Sequence, residues 1–301
     1  MPEIPAEAWT RLPASGEVAG LEAVAAEAFG LHDPACVAAT PGTQALIQML
    51  PRLVGGASVG ILGFTYQEHA RVWCEAGRSV EVVERLEDLA RFDVGLLVNP
   101  NNPDGRLVPP ERLAALALDM RASGRRLIVD EAFVEMIGEG ASLAPRLPID
   151  SAIVLRSFGK TWGLAGVRLG FCLADADFAS AVRRAFGPWA VSGPAIAVGR
   201  AALADRAWLD DARRRSIVAA ERLDRILTAA GCRILGGTSL FRLVGHRQAT
   251  AFADGLAAAG IHVRRFPHAQ DRLRFGLPGR ESEWERLTAA LDRACSTIVQ
   301  R

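Results

Sequence analysis

Apolar positions recur at helical spacing over 21–29 and Gly30 closes the run, which predicts a short amphipathic helix. A second apolar run over 45–50 follows Thr40-Pro41-Gly42-Thr43-Gln44. Small and hydroxyl residues opening a helix leave backbone N–H groups and the positive dipole end pointing outward, so this start suits an anion or a plain N-cap. Short apolar blocks at 59–63, 80–83, 94–98, 127–129 and 152–155 predict strands, and 110–120 predicts a helix. Polar residues gather just past three of those strands: the proline-bounded Asn99 to Gly105, then Asp130-Glu131, then Ser157 to Lys160. Strand, polar end and helix in repetition predict an α/β fold with a mostly parallel sheet flanked by helices. In such sheets ligands sit beyond the carboxyl ends of strands.

Further on, the pattern predicts a strand over 168–173, helices over 177–230, strands over 240–244, 261–265 and 272–275, and helices over 250–259 and 282–299. Gly236-Gly237 interrupts the periodicity. The expected organisation is a large domain over 31–205 and a small C-terminal α/β domain over 206–301, with the segment 1–30 packing on the small domain.

Composition narrows the chemistry. Half the residues are apolar, 23% are charged, and the formal charge is +1, which argues against a nucleic-acid or membrane-surface partner. No apolar run is long enough to cross a membrane, and residues 1–9 lack the basic flank and apolar block of a secretory signal. The five cysteines are odd in number and far apart, which fits neither a disulfide framework nor a metal site and suits a reducing cytoplasm. The five histidines are equally scattered, so no metal is expected.

Of 35 basic side chains only one, Lys160, is a lysine. Arginine stays protonated, whereas lysine can lose its proton and attack a carbonyl. Gly159-Lys160-Thr161 does not make a phosphate-binding P-loop, because the glycine needed six residues before the lysine is Val154. A pyridoxal-phosphate enzyme, where an amine forms a Schiff base with the cofactor aldehyde, fits better. That cofactor wants a carboxylate at its pyridine nitrogen (Asp130) and a donor at its phenolic oxygen (Asn102). Its phosphate wants hydroxyls, a helix start and a cation (Thr43, Gln44, Ser157, Arg168), and its ring wants a flat cover (His69, or Tyr66).

Four motifs then make a resemblance: Gly42-Thr43-Gln44, Asn101-Asn102-Pro103-Asp104-Gly105, Asp130-Glu131-Ala132-Phe133, and Ser157-Phe158-Gly159-Lys160 with Arg168 beyond. Over nearly its whole length the chain resembles the fold-type I pyridoxal-phosphate enzymes, the aspartate aminotransferase superfamily. Within it, the chain is similar to histidinol-phosphate aminotransferases. It is more similar to threonine-phosphate decarboxylases of cobalamin biosynthesis, through Arg156 to Lys160, Leu273 to Gly279, Thr10 to Pro13 and Pro41 to Leu46. The resemblance implies a homodimer acting on a phosphorylated amino acid. Arg274 would fork onto the substrate carboxylate and Arg264, or its neighbour Arg265, would hold the phosphate. It also exposes departures: Phe133 and Leu12 stand where relatives carry tyrosines, Gly159 where many carry serine, and the relatives' N-terminal Asn-Pro arm has no match. Non-catalytic binders of the cofactor usually add a DNA-binding module, for which neither end has room.

Overall fold

The computed structural model describes residues 3–299, in two units: Met1–Asn101 with Leu107–Leu209, and Asn102–Arg106 with Asp210–Arg301. The elements of the first unit are α1 (Ala6–Thr10), α2 (Ser15–Phe29), β1 (Val37–Thr40), α3 (Thr43–Val54), β2 (Ser58–Leu62), α4 (Glu68–Glu75), β3 (Ser79–Val83) and β4 (Val94–Val98). They continue with α5 (Pro110–Ala122), β5 (Arg126–Asp130), β6 (Ala152–Ser157), the short α6 (Phe158–Thr161), β7 (Gly170–Leu173), α7 (Ala176–Phe186) and α8 (Gly193–Ala204).

The seven strands form one sheet in the order β1-β7-β6-β5-β4-β2-β3. Pairings from β3 across to β6 are parallel, whereas β7 runs antiparallel to both β6 and β1. The alternation of a strand sends successive side chains to opposite faces. Leu97, Leu127, Val129 and Val154 join a core with Leu21, Leu113 and Ile196 from α2, α5 and α8. Leu96, Ile128, Ile153 and Leu155 join another with Leu46, Trp73 and Phe178 from α3, α4 and α7. Both faces are covered, so the strands read as unbroken apolar runs and their polar residues collect at the ends.

Some expectations need correction. Leu21, Ala25 and Phe29 of α2 lie in the core of the large unit. The predicted strand over 168–173 starts only at Gly170, because Arg168 is left-handed with φ 56°. The helices predicted over 177–230 are three, with one break running from Gly187, at φ 72°, to Pro194 in the first turn of α8, and the other at Asp205.

The second unit takes most of α9 (Arg206–Ala229), then β8 (Arg233–Thr238), β9 (Phe241–Gly245), α10 (Ala249–Ala258), β10 (Arg264–Arg265), β11 (Arg272–Gly276) and α11 (Glu281–Val299). Its strands form an antiparallel sheet ordered β10-β11-β9-β8 over a core that includes Leu223, Phe252, Phe275 and Trp284. The strand predicted over 261–265 shrinks to β10, and β8 was not predicted at all. Its glycines permit close approach: a Cβ on Gly236 would lie 2.2 Å from the Asp104 carbonyl oxygen, and the Gly237 N–H donates to that same oxygen at 2.8 Å.

Candidate active site

In the large unit the ends of β5 and β6 carry the two central groups. Asp130 closes β5 with 3% of its surface exposed. One carboxylate oxygen accepts the Ala132 N–H at 3.1 Å, and the other lies 2.8 Å from Nε2 of His69 on α4. His69 itself is completely buried. A ring with no exposed face has none to lay over a cofactor, so the expected stacking role does not suit it; its geometry is that of a partner orienting Asp130. Tyr66 is the aromatic group left for that cover. It is half-buried and its hydroxyl donates to Oε1 of Gln44 at 3.2 Å.

Lys160 lies on α6, which follows β6 directly, and its side chain is exposed. The loop bearing it is held at both ends. Ser157 and Gly170 are register partners across β6 and β7, and the Phe158 N–H donates to the Leu169 carbonyl at 3.3 Å. Within the loop, Phe158 stacks on Trp162 at 4.7 Å, and Trp162 Nε1 donates to the Ala202 carbonyl of α8 at 3.1 Å. Lys160 Nζ lies 5.9 Å from the centre of the ring of Phe133, the residue expected to stand where relatives carry a tyrosine.

The phosphate candidates converge on the start of α3. Gly42, at φ 90°, precedes the helix without a side-chain cap. A Cβ there would come 2.7 Å from Nη2 of Arg168, and a Cβ on Gly170 would come 2.6 Å from the Thr43 nitrogen. Only glycine allows that approach of a guanidinium to a helix N-terminus, where backbone N–H groups and the dipole favour an anion. Thr43 Oγ is committed to the Arg156 carbonyl at 3.2 Å. An exposed amine, a buried carboxylate with a histidine behind it and an uncapped helix start with an arginine fit the polar groups of pyridoxal phosphate. Among the described residues no cluster could hold a metal ion, and no helix is long and apolar enough to cross a membrane.

Beneath this group lies a buried cluster that sequence reading passed over. Arg156 Nη1 donates to Glu131 Oε2 at 2.7 Å, and Arg156 Nε lies 3.0 Å from Glu135 Oε1. The guanidinium also packs 4.4 Å over the Phe29 ring. Burial pushes both glutamates above the ordinary carboxylate range, with the Arg156 charge pulling the other way. The signal available was a lone arginine ending the apolar run of β6.

The small unit holds the remaining candidates. Arg274 on β11 is half-buried, donates to Oδ1 of Asn102 and lies 5.1 Å over the Phe241 ring. Its cross-strand partner is Arg264. Burial, with the Arg264 charge adding to it, pulls the Arg274 guanidinium below its ordinary range. Arg265 instead pairs with Asp254 at 2.6 Å.

Residues 12–291 match the family described as aminotransferase class I and II, and the chain belongs to that family. Its members are pyridoxal-phosphate enzymes. The chain is 42% identical to a threonine-phosphate decarboxylase of Pseudomonas aeruginosa, with 97% of this chain and 87% of that protein covered. A threonine-phosphate decarboxylase of a Sinorhizobium species is 38% identical, with 97% and 88% covered. Among solved structures, histidinol-phosphate aminotransferase of Sinorhizobium meliloti in complex with pyridoxal-5'-phosphate superposes with a TM-score of 0.83 at 27% identity, covering 95% of this chain and 83% of that one.

Proposed function

We propose that this chain is a pyridoxal-phosphate-dependent decarboxylase that converts L-threonine O-3-phosphate to (R)-1-aminopropan-2-yl phosphate, a cytoplasmic step of cobalamin biosynthesis. The observation that carries the choice of substrate is the facing of Arg264 and Arg274 across β10 and β11. Two like charges directly opposite on a sheet repel, unless an anion lies between or beside them. A substrate with both a carboxylate and a phosphate answers that arrangement, and Asp254 already answers Arg265. The similarity to threonine-phosphate decarboxylases supports the same reading.

In this reading Asp130 anchors the pyridine nitrogen, His69 fixes the Asp130 carboxylate, and Gly42, Thr43, Gln44, Ser157 and Arg168 hold the phosphate of the cofactor. When bound, the cofactor supplies an electron sink for the pair left at the substrate Cα. Arg274 takes the substrate carboxylate in a bidentate grip, with Asn102 steadying the guanidinium. Arg264 takes the substrate phosphate. Two anchors fix which Cα bond is oriented for cleavage. Carbon dioxide leaves, and Lys160, in its ammonium form, would deliver the proton that Cα receives. Phe133 brings no hydroxyl to the site, which accords with a reaction other than amino transfer.

The purified protein is expected to release carbon dioxide from phosphothreonine with no keto acid present. Arg264→Gln is expected to raise KM for that substrate about tenfold or more with a smaller change in kcat, while Arg265→Gln changes little. A protein inert with phosphothreonine that moves the amino group of histidinol phosphate to 2-oxoglutarate would instead be an aminotransferase, the reading suggested by the S. meliloti structure.

A further inference from the structure

Gln44 is the second residue of α3, so its backbone N–H is among those that a helix start leaves open. Its side chain joins two residues around the start of α4. Nε2 donates to Glu68 Oε2 at 3.2 Å, and Oε1 accepts the Tyr66 hydroxyl at 3.2 Å. An amide has a donor on one side and an acceptor on the other, and its neighbours decide which way round it sits. Glu68 decides it here. Arg71 Nη2 lies 2.6 Å from the same carboxylate oxygen, and Arg71 Nε lies 3.2 Å from the other. Those bonds hold the Glu68 carboxyl below the ordinary carboxylate range. An ionised carboxylate only accepts. The Gln44 nitrogen therefore faces Glu68, its oxygen faces Tyr66, and the phenol donates.

Tyr66 is the one tyrosine of the chain, and its ring stands perpendicular to that of His69 with the centres 6.0 Å apart. We infer that Gln44 is a positioning residue: it holds the Tyr66 ring in place as the cover of the cofactor and ties that cover to the helix end that receives the cofactor phosphate. The spacing between ring cover and phosphate site is then set by one side chain rather than by the whole path of chain from α3 to α4. The inference rests on the reading of Tyr66 as the cover; the hydrogen bonds stand without it.

Cofactor affinity, read by titrating the cofactor-free protein with pyridoxal phosphate, tests the role without reference to turnover. Gln44→Met keeps the backbone N–H and the length of the side chain while removing both of its hydrogen bonds. It is expected to weaken binding about fivefold, the effect of one hydrogen bond. Tyr66→Phe should weaken binding by at least as much, and adding Gln44→Met to it should cost less than about twofold more, because no hydroxyl remains to be held. Tyr66→Ala, which removes the ring, should weaken binding about tenfold or more and change the visible circular dichroism of the bound cofactor. Nitration by tetranitromethane, followed by mass spectrometry, reports on this single tyrosine in the cofactor-free protein, and it should run faster in Gln44→Met than in wild type.

Equal losses from Gln44→Met with and without Tyr66→Phe would mean that Gln44 acts on the phosphate directly and would overturn the inference. Nitration at the wild-type rate would do the same. Wild-type affinity in Tyr66→Phe would overturn it even if the Gln44 variant fails to fold. If Tyr66→Ala binds the cofactor like wild type, Tyr66 is no cover, and the inference falls with that reading. If Tyr66→Ala loses affinity while Gln44→Met does not, the cover stands and the positioning role alone is refuted.

Discussion

Replacing Lys160 with arginine is expected to leave the fold intact and abolish covalent capture of pyridoxal phosphate, with turnover falling roughly 10³-fold or more. The side chain is exposed and its neighbour across the site is the Phe133 ring, so another long cation has room. Arginine retains the charge and cannot act as a free amine at any physiological pH. Because no other side-chain amine exists, borohydride treatment of the loaded protein offers an unusually clean measurement. Trypsin cuts after Arg156 and Arg168 but not after a modified lysine, so the cofactor should be recovered on the single peptide 157–168. Cofactor found only on the N-terminal amine, or turnover surviving in Lys160→Arg, would refute the assignment.

Asp130→Asn is expected to lower turnover roughly 10²–10³-fold while retaining some cofactor. Asparagine keeps the shape of the side chain and can still meet the Ala132 N–H and His69. It removes the negative charge that stabilises a proton on the ring nitrogen, and a neutral ring withdraws electrons poorly. Burial magnifies the loss, because a charge held largely out of water acts more strongly on its partner. Rates near wild type in this variant would mean that Asp130 is structural.

Legibility in the sequence followed burial. Strands β4, β5 and β6 stood out because helices cover both of their faces, leaving uninterrupted apolar runs with polar residues at their ends. Strand β8 was hidden by Gly236 and Gly237, which read as a break although the close approach of Asp104 is what requires at least the first. Residue identity also outran residue orientation. His69 was recognisable as a candidate, but whether its ring shows a face or an edge depends on Asp130, far away in the chain. The pairing of Arg265 with Asp254, which bears on the choice between Arg264 and Arg265, is likewise visible only in the fold. The buried triad was invisible for the same reason: Arg156, Glu131 and Glu135 each resemble an ordinary surface charge until the fold brings them together.

The reversal of direction between β6 and β7 has a consequence for what can be changed without harm. Parallel neighbours need a crossover back to the opposite end of the sheet, whereas an antiparallel pair is joined at one end, and here that link, residues 158–169, carries Lys160. The free energy of closing such a loop varies only logarithmically with its length, about 0.6 kcal/mol for each doubling. Extra residues in the connection would therefore leave the sheet nearly as stable while widening the volume over which the amine wanders. Concentration of the amine at one place, rather than strength of the scaffold, is what the bonds that hold this link at both ends confer.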